Sequence, residues 1–365
     1  MKILQLTLAT ILFLNFASCK KAKKDPETPA PTTSTSSTET KKAILNDLAS
    51  NVIYASYSDL ANKATIFYNN VVAFSTATTA VNLSACRQAW KDVRNTYEQT
   101  EGFLFGPMSV NNIDPDIDTW PVDFARLDSV LASSAVFSAS YITSLEESLK
   151  GFHPVEYLLY GKDGSKNETQ FKSREMDFMI ALSLNIKTLC SEAQTSWDVT
   201  VNDNYNVKFT TAGSGSTVYP TFRSAYEELI NAMADICDEV ANGKMKDPFE
   251  QFNPALEESP FSKNSLIDFT NNIKSVQNIY LGKYVVDGKG LEDLIKANNL
   301  AMDGAIKTKI ANTLTALGNI TVPFGQAISA TNGQRTLVQT AMTTADDLRA
   351  YLSGDVKTYL QTITN

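Results

Sequence analysis

From Ile44 to about Thr79, apolar side chains recur every three or four residues: Leu48, Val52, Tyr57, Leu60, Ala64, Phe67, Val71 and Phe74. That spacing lays one apolar stripe along a 3.6-residue helix and predicts a long amphipathic helix. A second helix opens at Asn82 or Ser84, runs through Trp90, Val93 and Tyr97 to Leu104, and stops near Gly106-Pro107. Residues 111–121 read as a polar loop holding Asp114, Asp116 and Asp118. Helices resume over 124–133 and 141–149. Gly151 breaks the second of these, and Pro154 suits the first turn of another helix reaching Tyr160. Further helices are predicted over 171–197, 222–242, 262–280, 290–299, 301–317 and 331–363, the last interrupted or broken at Gly354.

Between Asp198 and Pro220 the period changes. Val199, Val201, Tyr205, Val207 and Phe209 alternate ahead of Gly213-Ser214-Gly215-Ser216, which reads as a small β-hairpin or an ordered loop. Residues 246–260, cut by Pro248, Pro254 and Pro260, read as a loop. The fold class that follows is all-α. Two up-and-down helical bundles are expected, the first over residues 41–160 and the second over 161–365 with an excursion near 198–220. The final helix pair echoes the first pair in length and pattern. That echo fits an internal duplication, and amphipathic periodicity alone would also produce it.

The first 40 residues belong to a different regime. Lys2 precedes a mostly apolar run, Ile3 to Phe16, too short for a comfortable transmembrane span. Ala17-Ser18-Cys19 then looks like a bacterial lipobox, so residues 1–18 read as a lipoprotein signal peptide and Cys19 as the lipidated residue. Acyl chains add about 0.8 kcal/mol per buried CH₂ and would anchor the chain without spanning the bilayer. Residues 19–40 begin with a lysine cluster and continue rich in Pro, Ser and Thr, the composition of a disordered tether. The expected location is the bacterial cell envelope, at the outer membrane or cell surface.

Composition adds two limits. The chain carries net charge −8, and removing residues 1–40 takes away five lysines and three carboxylates, leaving −10. An acidic body gives no nucleic-acid surface. It attracts cations in general without defining a site. Once Cys19 is lipidated, Cys86, Cys190 and Cys237 remain, widely spaced and within predicted helices. Buried thiols are the simpler expectation; a Cys190–Cys237 disulfide is the alternative.

Histidine chemistry has one address, because His153 is the only histidine. Glu156 follows it by three residues, so the two can share a helix face. An imidazole and a carboxylate can ligate a metal or move a proton. The plainer alternative has Glu156 capping the helix start while His153 packs. Glu98 and Glu101 have the same spacing earlier in the same unit. With His153 and Glu156 they would make an N/O metal site suited to iron, zinc or another divalent cation. A solvated helix face is the alternative for Glu98. Asp114, Asp116 and Asp118 alternate as calcium ligands do, but the loop glycine and terminal glutamate are missing, so an acidic surface loop is expected. In the second unit Glu257, Glu258, Ser259, Ser262, Ser265, Asp268 and Asn272 form a polar set able to meet those carboxylates across an interface. Ser262 or Ser265 would cap the helix holding Asp268. No zinc-protease helix, nucleophile elbow or phosphate loop occurs.

These motifs together resemble the imelysin-like proteins, peptidase family M75. Gly151-Phe152-His153-Pro154-Val155-Glu156 matches the family's G-x-H-x-x-E signature. Trp90, the segment from Tyr97 to Pro107, Ile117 to Pro121, Glu156 to Gly161, and Glu257 to Gly282 agree with it across nearly the whole mature chain. The resemblance implies a duplicated all-helical protein with a site near the interface of its halves. It places His153 and Glu156 there, with Glu98, Glu101, Ser259 and Asp268 around them. It also implies an exported or lipid-anchored protein linked to iron uptake, with iron-uptake components as partners. Two alternatives stay open: a metallopeptidase, for which no complete zinc-protease motif is present, and a non-catalytic surface module for a protein, glycan or haem-like ligand.

Overall fold

The computed structural model describes residues 37–329, 331 and 333–364. The signal peptide over 1–18, Cys19 and the tether as far as residue 36 lie outside the described residues. The chain is helical as early as Thr38, where Ser37 Oγ accepts the Thr40 N–H at 3.1 Å. The body thus begins three residues before the expected start at 41.

The long first stripe folds as α1 (Thr38–Asp47) and α2 (Ala55–Thr76), joined without a break by a π turn over Leu48–Tyr54. Then come α3 (Ala80–Glu98), α4 (Ile113–Asp118), α5 (Phe152–Tyr160) and α6 (Ser173–Trp197). The later half supplies α7 (Phe222–Asp238), α8 (Ser265–Leu281), α9 (Leu300–Gly318) and α10 (Arg335–Tyr351). Beyond α10 a π turn over Leu352–Val356 contains Gly354, where the helix was expected to break. The architecture is all-α; among the described residues the only β pairing is a single bridge, Lys283 with Asp287.

Several local expectations are decided. The 198–220 excursion is an ordered loop rather than a hairpin: Tyr205–Thr210 is a short helix capped by Asn204. Phe209 is fully buried there against Phe105 and Trp197, so its apolar positions serve tertiary packing and not strand alternation. The acidic segment expected to be a loop contains α4, and residues 246–260 contain a short helix, Lys246–Gln251. Cys86, Cys190 and Cys237 are buried free thiols, so the Cys190–Cys237 bridge does not form.

Apolar stripes explain the packing. α2 lies between α3 and α6, and α5 rests on α3 and α6. In the other cluster α7, α8, α9 and α10 pack in succession. α3 crosses to α8, and the 3₁₀ turn Glu101–Phe103 inserts against α7 and α8. Fully buried large side chains such as Trp90, Phe152 and Tyr280 each contribute about 1.5–3 kcal/mol through burial. Trp90 also fixes the entry to α5, donating its indole N–H to the Phe152 carbonyl at 3.2 Å.

Candidate functional site

The seam between the two clusters is where charge is buried. α3 delivers Arg94 and Glu98 from its last turns. Arg94 lies one turn beyond Trp90 and one turn before Tyr97, on the apolar stripe, and is fully buried. Its guanidinium pairs with Glu98 at 2.5 Å, Glu258 at 2.7 Å and Asp118, and approaches Asp268 at 3.8 Å. A planar five-donor fork suits this convergence.

Glycine permits the histidine's position. Gly151 caps α5 at φ +87°, and a Cβ there would meet the Ile117 carbonyl oxygen at 2.1 Å. The backbone of α5 can thus approach α4 closely, bringing His153 beside Asp118. His153 Nε2 is 3.2 Å from Asp118 Oδ1 and 3.8 Å from Glu258 Oε1, while Nδ1 is 3.8 Å from Glu156 Oε2. None of these approaches has hydrogen-bonding alignment, so both ring nitrogens lack a hydrogen-bond partner among the described residues. Trp120 covers the ring, with centroids 5.0 Å apart.

Glu156 does not cap its own helix. It lies beyond the first turn, and its Oε1 accepts the Ser262 N–H at 2.7 Å from the facing loop; Oε2 is unpartnered. Glu98 is fully buried, which overturns the solvated-face alternative. Asp118 is also drawn inward, its side chain 6% exposed, so the acidic segment is no plain surface loop. Asp114 accepts the Tyr97 hydroxyl. α8 begins after Asn264, which makes no side-chain cap; Ser265 instead donates to Glu257 at 2.8 Å, and Ser262 does not cap it either.

On the far side, Lys244 projects from a π turn over Glu239–Lys244. Its ammonium lies 2.9 Å from Glu101, 3.4 Å from Glu258, 3.6 Å from Glu98 and 3.7 Å from Glu239. Asn272 of α8 donates to both Glu98 and Glu101. Ser259 donates to Asp268 Oδ2 at 2.6 Å and Asn264 to Oδ1 at 2.7 Å. The Ser259 hydroxyl is therefore committed to a carboxylate, not to His153.

Five buried carboxylates, Glu98, Glu101, Asp118, Glu258 and Asp268, thus face two cations, Arg94 and Lys244, and Glu156 adds a sixth acid beside His153. The ionisation of the group reflects that imbalance. Burial pushes Asp268 up to about 7, assisted by Glu98 and opposed by Arg94. Burial and Glu98 raise Glu101 well above the usual carboxylate range. Glu258 goes the other way: burial opposes ionisation, but Lys244, Arg94 and His153 outweigh it and hold the carboxyl at about 2. Lys244 is raised because its carboxylates outweigh its burial. It stays an ammonium, and Glu101 is the crowded partner that resists charge.

Two sets have metal-ligand spacing, their donor atoms lying within 4.8 Å of one another: Asp118, His153 and Glu258; and Glu98, Glu101 and Asp118. The sequence singled out His153, Glu98 and Glu101 among these as ligands and Glu258 as part of the facing polar set; Glu156 belongs to neither set, being tied to the Ser262 amide. Arg94, Lys244 and Asp118 were missed as site residues. A pocket of about 430 Å³ reaches Asp118, Lys244 and Glu258 from solvent. A second cavity, about 610 Å³, is aromatic, lined by Trp120, Phe124, Tyr157 and Phe261. Its Trp120 wall is the ring that covers His153.

Fold and site together define an all-helical protein built around a buried acid–imidazole centre. The chain belongs to the imelysin family, peptidase M75, whose family model matches residues 53–352. Iron-regulated protein A of Synechococcus elongatus is 29% identical over 301 residues, 81% of either chain. A crystal structure from Parabacteroides distasonis, provisionally described as an iron-regulated protein A precursor, shares the fold with a TM-score of 0.82 at 24% identity, covering 92% of this chain and 98% of that one. An imelysin-like protein from Psychrobacter arcticum has a TM-score of 0.72 at 13% identity, covering 89% of this chain and 97% of that one. Among the described residues, no helix is long and apolar enough to cross a membrane.

Proposed function

We propose that this protein is anchored in the bacterial envelope through lipid on Cys19 and binds iron or another divalent cation in an iron-uptake system. The observation that carries the reading is the His153 environment. A fully buried imidazole has both nitrogens unpartnered, beside carboxylates that outnumber the fixed cations. Leaving buried polar atoms unpaired is costly, and a cation accepting their lone pairs would relieve that cost. Asp118, His153 and Glu258 would be its ligands, a mixed N/O set suited to iron, manganese or zinc. Glu98 and Glu101 would supply the adjoining negative charge. Glu156 would orient the loop carrying Ser262, and Ser259 would orient Asp268. The relative named for iron regulation supports the choice of iron.

Calorimetry of the delipidated body against Fe²⁺, Mn²⁺ and Zn²⁺ tests this. Saturable heat at micromolar concentration with a raised melting temperature is expected. No heat and an unchanged melting temperature with all three ions would end the reading. The metallopeptidase alternative uses the same ligands. It is favoured only if metal-loaded protein cleaves unfolded substrates or peptide libraries, since Lys244 already engages Glu101 and the Ser262 amide engages Glu156, the carboxylates that would activate water.

A further inference from the structure

We infer that Lys244 is an internal stand-in cation: its ammonium occupies a position among Glu101, Glu258, Glu98 and Glu239 from which an incoming divalent cation displaces it. This inference rests on the cation-binding reading above and deepens it by assigning the residue that sets affinity.

Three independent observations converge. The first is geometric. Lys244 Nζ lies between 2.9 and 3.7 Å from four carboxylates, and three of them, Glu98, Glu101 and Glu258, also belong to the metal-spaced sets with Asp118. A single ammonium therefore bridges both sets. The second is that polar atoms beside this charge have no partner. Both His153 nitrogens and Asn272 Oδ1 are fully buried without a hydrogen bond, although Asn272 donates to Glu101 and His153 approaches Glu258, two of the carboxylates that Lys244 also meets. An ammonium has only donors, so it could serve an acceptor such as Asn272 Oδ1 or a neutral imidazole nitrogen only by coming within reach, which it does not. A divalent ion can engage the imidazole nitrogen and carboxylate oxygens together. The third is the path. Lys244 sits at the wall of the 430 Å³ pocket with Asp118, Glu239 and Glu258.

Arg94 and Lys244 then have different roles. Arg94 is fully buried in the body of α3 and holds its partners with a rigid fork. Lys244 is a point charge on a flexible stem, at the end of a π turn, next to solvent. Swinging the stem out into the pocket would remove one positive charge from the centre without moving a helix. Glu239, more than half exposed, offers the departing ammonium a partner at the rim.

The experiment uses Lys244→Met in the delipidated body, with Mn²⁺ and Zn²⁺ as probes. Without metal, K244M should melt below wild type. Added Mn²⁺ or Zn²⁺ should restore its melting temperature, and the Kd should be about tenfold or more tighter than wild type, as expected for losing a competing charge. A K244M protein that neither recovers with metal nor binds more tightly overturns the inference. If wild type binds metal and K244M binds no better, the inference falls while the proposed function stands. If K244M binds and wild type does not, the stand-in cation stands and the proposed function falls. Should K244M fail to fold under every condition, amine labelling of wild type decides. Lys244 should acylate several-fold faster with metal bound; an unchanged or slower rate overturns the inference.

Discussion

The two sides of the buried centre solve the same electrostatic problem differently. Around Arg94 and Lys244, Glu98, Glu101 and Glu258 each meet a cation within 2.9 Å. Around His153, nothing comparable happens: the imidazole is enclosed, its neighbours are acids, and both nitrogens go unpaired. A buried ion pair must recover its desolvation cost through geometry, and breaking one strands a charge. The arginine side is thus a structural clasp. The histidine side retains unused ligand capacity, the mark of a place kept for something else.

Removing the clasp should have the largest effect. Arg94→Met leaves Glu98, Asp118 and Glu258 without their shared cation and should cost about 3–5 kcal/mol, read from denaturant unfolding. A loss below about 1 kcal/mol would mean that Lys244 alone compensates these acids. Next comes the backbone that joins the two sides. Gly151→Ala forces a side chain into the Ile117 carbonyl at positive φ and should destabilise by about 1–3 kcal/mol. His153→Gln should do the reverse of Arg94→Met. Cation affinity should fall about tenfold or more, while the metal-free melting temperature moves far less than in R94M. If the two variants lose stability equally, the contrast between the sides fails.

The smallest effect concerns pH. Folded Asp268 titrates at about 7 against an ordinary 3.8, so between those values the native state holds a proton that the unfolded chain has released. Its contribution to stability therefore falls as pH rises across that window. Glu258 behaves oppositely: at about 2 against 4.5, its contribution is full above 4.5 and is lost as pH falls towards 2. Asp268→Asn imitates the protonated acid and should flatten the slope of stability between about pH 4 and 7. Unfolding curves across that range with an unchanged slope would contradict the assignment.

Long helices were legible because burial imposes a period, and α2, α3 and α6 follow it closely. The G-x-H-x-x-E segment was legible as chemistry, but its partners were only partly so. Arg94 left a signal that could have been read. It falls on the stripe containing Cys86, Trp90, Val93 and Tyr97, where a cation must find buried acids. Asp118 was hidden because a run of alternating aspartates looks solvated until α4 is seen to turn it inward. Lys244 had no local signal at all: its partners are up to about 146 residues away in sequence, and only packing brings Glu98 near it. Glu156 misled in a different way. Its spacing suited a cap, and the carboxylate instead reached across to Ser262.

Because the charges cross the seam, neither cluster is electrically complete by itself. A fragment ending after α6 would keep Arg94 with Glu98 and Asp118 but forfeit Glu258 and Asp268; the complementary fragment would hold those acids and Lys244 without Arg94. Cutting the chain there would strand buried charge on both sides of the seam.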